Sequence, residues 1–491
     1  MSIRAKRISY LTLLLVLPVA LLASACMWGV VRNADTGTGI SGATVTYTDS
    51  HGNTGSTTSG AGGLYFFDSA TGAIPGIGPV DMEVSAPGFA TLDTTVIVQY
   101  GDNPNATLSN LSSFWEVQSF DLTPTEVEGT INTLLSGAGF PVGAVYDENG
   151  DLFFSERDSC RVRKLDTSAG TLTNIAGNGT CGDSGDGGPA TAAELDAPAG
   201  LALDDHGNLA IVDTNNCRVR MVDLDTHEIT TVAGNGTCGF SGDGAAATAA
   251  ELGLADATVP SLFVWSDVAF DASDNLYIAD LFNCRIRKVS GGTITTIAGS
   301  GATGFTCGAF SGDGGPATAA RLNQPSGVAV DDHGNVFIGE AGGCRIRKVT
   351  SGSPSAGGTI STIAGTGVCT PSGNGGDAVD AGLANVRAIA LDQSDNLFIS
   401  QFGFSPNNPS EPRFCQVRRI DEDGTIDAVA GTNNCGFSGD GGEAADARIQ
   451  TPGDIALACN GNLAFTSALD DRIRVVFGAN DGGPAPGTIC D

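Results

Sequence analysis

The residues with the clearest chemistry are thirteen cysteines in a chain of 491. Ten recur in a fixed order: Cys160/Cys181, Cys217/Cys238, Cys284/Cys307, Cys344/Cys369 and Cys415/Cys435. The first of four pairs precedes an Arg-x-Arg segment and that of the fifth a Gln-x-Arg segment, and the second Cys follows a segment of the Thr-Ile-x-x-Ile-Ala type. If those segments are antiparallel neighbours, the paired thiols lie within bridging distance. A rival map would join the second Cys of one unit to the first of the next, leaving Cys160 and Cys435 over. Cys459 and Cys490 remain and are expected to pair. Asp267 and Asp454 hold equivalent positions in two units, where other units have Gly or Ala. They could share a proton or hold a divalent cation such as calcium. They could equally cap backbone N–H groups. Five Gly-Asp/Asn-Gly-rich loops centre on Asp186, Asp243, Asp313, Asn374 and Asp440. Each offers one acidic or amide side chain without the alternating oxygen ligands of an EF-hand. They read as tight turns into short helices begun at Pro189 or Pro316. Acids at Glu156, Asp213, Asp280 and Glu340 are expected to pair with Arg161, Arg218, Arg285 and Arg345. Gln401 and Gln416 replace both partners in the fifth unit.

Catalytic motifs are sparse. His206 and His333 occupy equivalent turns and read as exposed turn residues. No His/Cys/Glu set has metal-ligand spacing, and no Gly-x-Ser-x-Gly elbow occurs. The sequence therefore assigns no catalytic residue and no cofactor.

The elements that must position these residues repeat about every 60 residues. Units start at Pro141, Pro198, Trp265, Pro325, Val386 and Pro452. Each reads as four strands: a small apolar strand a, a turn such as Asp331-Asp332-His333-Gly334-Asn335, strand b, an Arg-rich strand c, and strand d. The sixth unit lacks strand d. Its match, Gly129-Thr130-Ile131-Asn132-Thr133-Leu134-Leu135-Ser136-Gly137, precedes the first unit. Four antiparallel strands repeated six times, with one strand borrowed across the ends, predict a closed six-bladed β-propeller without open edges. Strand a would line the axis, and Asp267 and Asp454 would face each other from blades three and six.

The units resemble NHL repeats of the bacterial and teneurin-like branch, through the turn, the acid ending strand b, and segments such as Asn283-Cys284-Arg285-Ile286. That resemblance implies a six-bladed ring. Some such propellers are metal-dependent lyases or lactonases, with histidine-rich or carboxylate centres that this sequence does not display.

Residues 26–123 differ. Alternating segments such as Ala43–Thr48 and Val80–Ser85 predict a small all-β sandwich. Gly29-Val30-Val31, Thr38–Val45, Gly63–Phe67 and Val84–Phe89 resemble a carboxypeptidase regulatory-like, transthyretin-like domain. Residues 1–25 read as a signal peptide: Arg4, Lys6 and Arg7, an apolar run over Leu11–Ala23, and small residues before Cys26. Lipidation of Cys26 leaves an even set of twelve cysteines for an oxidising compartment. The expected location is the bacterial cell envelope, lipid-anchored on the outer membrane or cell surface, or secreted.

The net charge of −31 removes the electrostatic footprint for nucleic acid and disfavours anionic lipid surfaces. Membrane contact is expected through the lipid anchor alone. Two insertions break the regular blade length, between Leu252 and Trp265 and over 402–414. Phe263, Trp265, Phe402, Phe404 and Phe414 are the candidate contact residues there, with packing of the first insertion under the ring as the alternative. The expected role is a non-enzymatic binding or scaffold protein for an envelope protein or glycan. The alternative is a hydrolase or lyase with a cation at the channel mouth.

Overall fold

In the computed structural model the chain forms two units. One comprises Met1–Ala86 and Ala90–Thr123, and the other Pro87–Phe89 and Pro124–Asp491. The structure describes seven strands before residue 123, and then residues 129–479 apart from 257–264, 302–306, 309, 352–357 and 406–407. Side chains are described from residue 129 onward, except those of 404–413 in the fifth blade. Cys26, Phe263 and Cys490 lie outside the described residues, as does the side chain of Phe404.

The first unit contains two sheets. Met27–Asn33 pairs antiparallel with Leu64–Phe67 and parallel with Gln118–Leu122. Thr54–Thr58, Thr44–Asp49, Gly78–Ser85 and Leu92–Val98 form an antiparallel sheet in that order.

The second unit is a six-bladed β-propeller. Blade one runs Pro141–Tyr146, Leu152–Glu156, Arg161–Asp166 and Thr171–Ala176 as strands a to d. The other blades repeat that order. The sixth is completed by Thr130–Ser136, which pairs antiparallel with Arg472–Val476. N-terminal and C-terminal segments therefore close the ring inside one sheet.

Local sequence explains the repeat. In five blades an Asp after strand a accepts backbone N–H bonds from residues two and four further on. Asp147, Asp204, Asp271, Asp331 and Asp392 all do so at 2.7–3.0 Å. These Asx turns reverse the chain into strand b. Strand b is buried along its whole length in blades one, three, four and six, as a strand sandwiched between neighbouring blades must be.

The five bridges run within blades: Cys160–Cys181, Cys217–Cys238, Cys284–Cys307, Cys344–Cys369 and Cys415–Cys435, with Cα–Cα distances of 5.1–5.6 Å. The first Cys of four pairs has φ between 47° and 54°, which presents its sulfur beside the end of strand d. Cys459 is also disulfide-bonded. Each loop of 20–25 residues is worth about 3 kcal/mol through denatured-state entropy. Cys217→Ala/Cys238→Ala should lower stability by roughly that amount without opening the ring. A denaturation midpoint equal to wild type would contradict this.

The insertion over 402–414 is a strand extension rather than a loop. Leu397–Ser405 and Asn408–Ile420 form one long hairpin.

Candidate functional site: the axial channel and the inter-blade latches

Six copies of strand a surround the axis and line a cavity of about 120 Å³. Its wall is mostly small and aliphatic, including Ala144, Leu201, Val328 and Ile389, and it carries Asp267 and Asp454. Both carboxylates are buried, each 8% exposed. Asp267 accepts N–H bonds from Val268 at 2.8 Å and from Val328 of the next blade at 3.3 Å. Asp454 accepts from Ile455 at 2.9 Å and from Ala144 of blade one at 2.9 Å. Each therefore ties its own strand to the following blade. Gly200 makes room for this: a Cβ there would lie 2.7 Å from Asp267 Cα. Burial raises both carboxyls. Asp267 stands well above the usual range through burial and then the nearby Asp454 charge. Asp454 is pushed up to about 7. The lower dielectric makes one shared negative charge cheaper than two.

Trp265 and Arg387 line a second, smaller space beside Gly143, Gly200, Asp267 and Asp454. Trp265 and Phe402 are 5% and 2% exposed, with ring centroids 6.0 Å apart. The Arg387 guanidinium lies 5.5 Å and 4.3 Å from their centroids. Burial lowers Arg387 to about 9. Trp265 and Phe402 are therefore core rather than contact surface, and for the first insertion this is the packing under the ring that the sequence also allowed. Phe414 is half-buried.

A second correction concerns the arginines. The acids ending strand b pair with the second Arg of strand c. Asp213 contacts Arg220 at 3.3 Å, Asp280 contacts Arg287 at 3.1 Å, Glu340 contacts Arg347 at 3.8 Å and Glu156 contacts Arg163 at 3.4 Å. Arg161, Arg218, Arg285 and Arg345 instead donate to backbone carbonyls beyond strand d, on Asn178, Asn235, Gly301 and Thr366. The reason is burial. Arg220, Arg287 and Arg347 are fully buried with their acids and Arg163 is half-buried, whereas Arg218, Arg285 and Arg345 are half-exposed and Arg161 is exposed. A buried carboxylate requires the cation that shares its burial. Even so, burial dominates: Asp213 is pushed up to about 6 and Glu340 to about 7.

The glycine-rich loops bury those arginines. Asp186 meets Arg220 at 2.7 Å, Asp243 meets Arg287 at 2.9 Å, Asp313 meets Arg347 at 2.5 Å and Asp440 meets Arg474 at 2.6 Å, each in the following blade. The second oxygen accepts from a strand-d threonine: Thr231, Thr296, Thr362 or Thr133. The short strands Gly188–Pro189, Ala245–Ala246, Gly376–Asp377 and Gly442–Glu443 each add to the next blade's strand d. A Pro316–Thr359 bridge does the same in blade four. Phe240, Phe310 and Phe437 stack on the next blade's arginine pair, with guanidinium-to-centroid distances of 3.8–5.1 Å. Tight turns into short 3₁₀ helices are present, as at Ala190–Ala192 after Pro189 and Ala317–Ala319 after Pro316. The loops do more than turn. They latch blade to blade, and the cation each aspartate holds is an arginine. The signal missed in the sequence was the co-occurrence of a loop Asp with the second Arg one blade later. In blade five Asn374 and Gln401 replace both acids. Arg418 there donates to the carbonyls of Gly382 and Ser372 at 3.1 Å.

No family model matches the chain. Mouse teneurin-1 is 26% identical over 42% of this chain and 10% of its own length. The chloroplastic protein Suppressor of Quenching 1 of Arabidopsis thaliana is 32% identical over 18% of this chain and 8% of its own. The chain thus spans a tenth or less of these relatives. Among solved structures, a protein of unknown function from Bacteroides thetaiotaomicron matches 89% of this chain and 91% of its own, with 14% identity and a TM-score of 0.47. A gluconolactonase from Xanthomonas campestris matches 72% and 89%, with 13% identity and a TM-score of 0.43. These structural likenesses concern fold alone.

Proposed function

We propose that this chain is an exported, non-enzymatic binding scaffold of the cell envelope, anchored through lipid on Cys26. It would present a stapled propeller to an envelope protein or glycan. One observation carries the reading: the buried Arg220, Arg287, Arg347 and Arg474 are engaged in holding neighbouring blades together. Four Arg–Asp latches and five bridges fix the blades. The axial carboxylates are occupied by four backbone amides. Rigid rings of this kind suit recognition by their rims and loops. Five disulfides also fit an oxidising, extracytoplasmic setting. Among the described residues no helix is long and apolar enough to cross a membrane.

The alternative, a hydrolase or lyase with a cation at the channel mouth, would use Asp267 and Asp454. Calcium takes about 6–8 oxygen ligands, and these two carboxylates already accept four N–H bonds. One tightly bound divalent ion at this pair, lost in Asp454→Asn, would favour that reading.

Cys26→Ser should move the protein from the membrane fraction to the soluble fraction with its melting temperature unchanged. Retention in membranes would remove the anchor from the proposal. The soluble form is then the probe for binding to isolated envelope glycan and to solubilised envelope proteins. It should be compared with a variant whose hairpin tip, 404–413, is replaced by a short turn. Binding lost with the tip supports recognition by the hairpin. Absence of binding by the intact form would leave a structural spacer.

A further inference from the structure

Between the second and third blades the a–b turns bring a histidine into contact with carboxylates that are far apart in sequence. His206 Nδ1 lies 3.1 Å from Asp274 Oδ2. Asp204, His206 and Asp274 each offer one ligand atom, and all three atoms lie within 4.8 Å of one another. We propose that Asp204, His206 and Asp274 form a binding site for one first-row divalent cation of the zinc type, bridging blades two and three.

Three observations support this. The first is ligand type and spacing. Zinc takes imidazole nitrogen and carboxylate oxygen at about 2.0–2.2 Å, which places ligand atoms roughly 3–3.5 Å apart around a tetrahedral ion. The His206–Asp274 separation already has that value, and the imidazole side chain is 70% exposed, so the ion has an entry path.

The second is a missing cation. In blades one, three and four the Asp of the Asx turn faces a lysine of strand c. Lys164 meets Asp147 at 2.8 Å, Lys288 meets Asp271 at 3.1 Å and Lys348 meets Asp331 at 3.7 Å. In blade two that strand position is Met221, in Arg218-Val219-Arg220-Met221. Asp204 is 9% exposed, and its oxygens accept only the N–H groups of His206 and Asn208 and the Asn208 amide. The blade that lacks its ammonium is the one that gathers a histidine and a second blade's carboxylate.

The third is an orphaned acceptor. The other oxygen of Asp274, Oδ1, is buried without a hydrogen-bond partner. The same residue types recur between blades four and five as Asp331, His333 and Asp395. There the lysine is present, so that copy serves as an internal control.

Untagged protein titrated with zinc sulfate in a calorimeter should bind one equivalent, and its melting temperature should rise with zinc. His206→Ala and Asp274→Asn should weaken binding about tenfold or more. Met221→Lys, which supplies the ammonium the other blades possess, should weaken it likewise. His333→Ala should leave it unchanged. Absence of zinc binding by the wild type would overturn the site, as would full-strength binding in His206→Ala or in Met221→Lys. Loss of binding in His333→Ala alone would also overturn it.

Discussion

Arg287→Met should destabilise the propeller by about 3–5 kcal/mol, the cost of leaving one member of a buried ion pair uncompensated. Arg287 is fully buried, 3.1 Å from the equally buried Asp280 and 2.9 Å from the latch residue Asp243. It also accounts for half of the stacking on Phe240. Methionine fills much of the volume and supplies none of the charge. Asp280 would keep its bonds from Gly253 N at 2.6 Å and from Asn283 Nδ2 at 2.8 Å, but burial, which already raises its carboxyl, would favour its protonated form once the guanidinium is gone. The matched substitution in blade five should behave differently. Arg418 faces two carbonyls and no latch acid, and burial lowers its pKa to about 10. Arg418→Met should therefore cost only about 1–2 kcal/mol, the price of two unmet acceptors. Denaturant midpoints measured with the bridges intact would compare the two. Equal losses would show that the acids contribute nothing to the latch.

That contrast also shows what a single sequence discloses. The ring was legible because its signals are periodic. Six strand-a starts, a recurring Cys spacing and a strand d displaced to Thr130–Ser136 are each visible without coordinates, and together they admit one closed architecture. The bridges were legible because both cysteines are absent from blade six. The partner of each buried acid was not. Asp280 lies opposite Arg285 in the strand register and bonds Arg287 instead. Which arginine is buried depends on a loop from the preceding blade, and no periodicity within one blade encodes that. Trp265 and Phe402 misled for a related reason. An aromatic in an insertion reads as exposed when the space it fills lies beside small residues of a distant blade, as Trp265 lies against Gly453 of blade six. The His206–Asp274 contact joins turns 68 residues apart, and no spacing motif covers such a pair.

The axial carboxylates give the propeller a pH dependence of definite sign. In the unfolded chain an aspartate titrates near 3.8, whereas folded Asp454 is pushed up to about 7 and Asp267 stands well above its usual range. Between those limits the native state holds protons that the unfolded state has released. Stability must then fall as pH rises. The contribution is fully present below about pH 4, declines through the folded value, and is lost above it. Asp213, pushed up to about 6, and Glu340, pushed up to about 7, act in the same direction. Asp454→Asn should therefore reduce the slope without abolishing it. The amide oxygen can still accept the Ala144 N–H that Asp454 accepts at 2.9 Å, so the blade-six to blade-one tie would survive in part. Asp267 would lose the neighbouring charge that raises it, which flattens the profile further. Thermal melts from pH 4 to pH 8 should show wild type losing more stability than the variant, with the curves closest at the acid end. Parallel curves would mean that the pair carries no proton, and that the four backbone amides alone hold both charges on the axis.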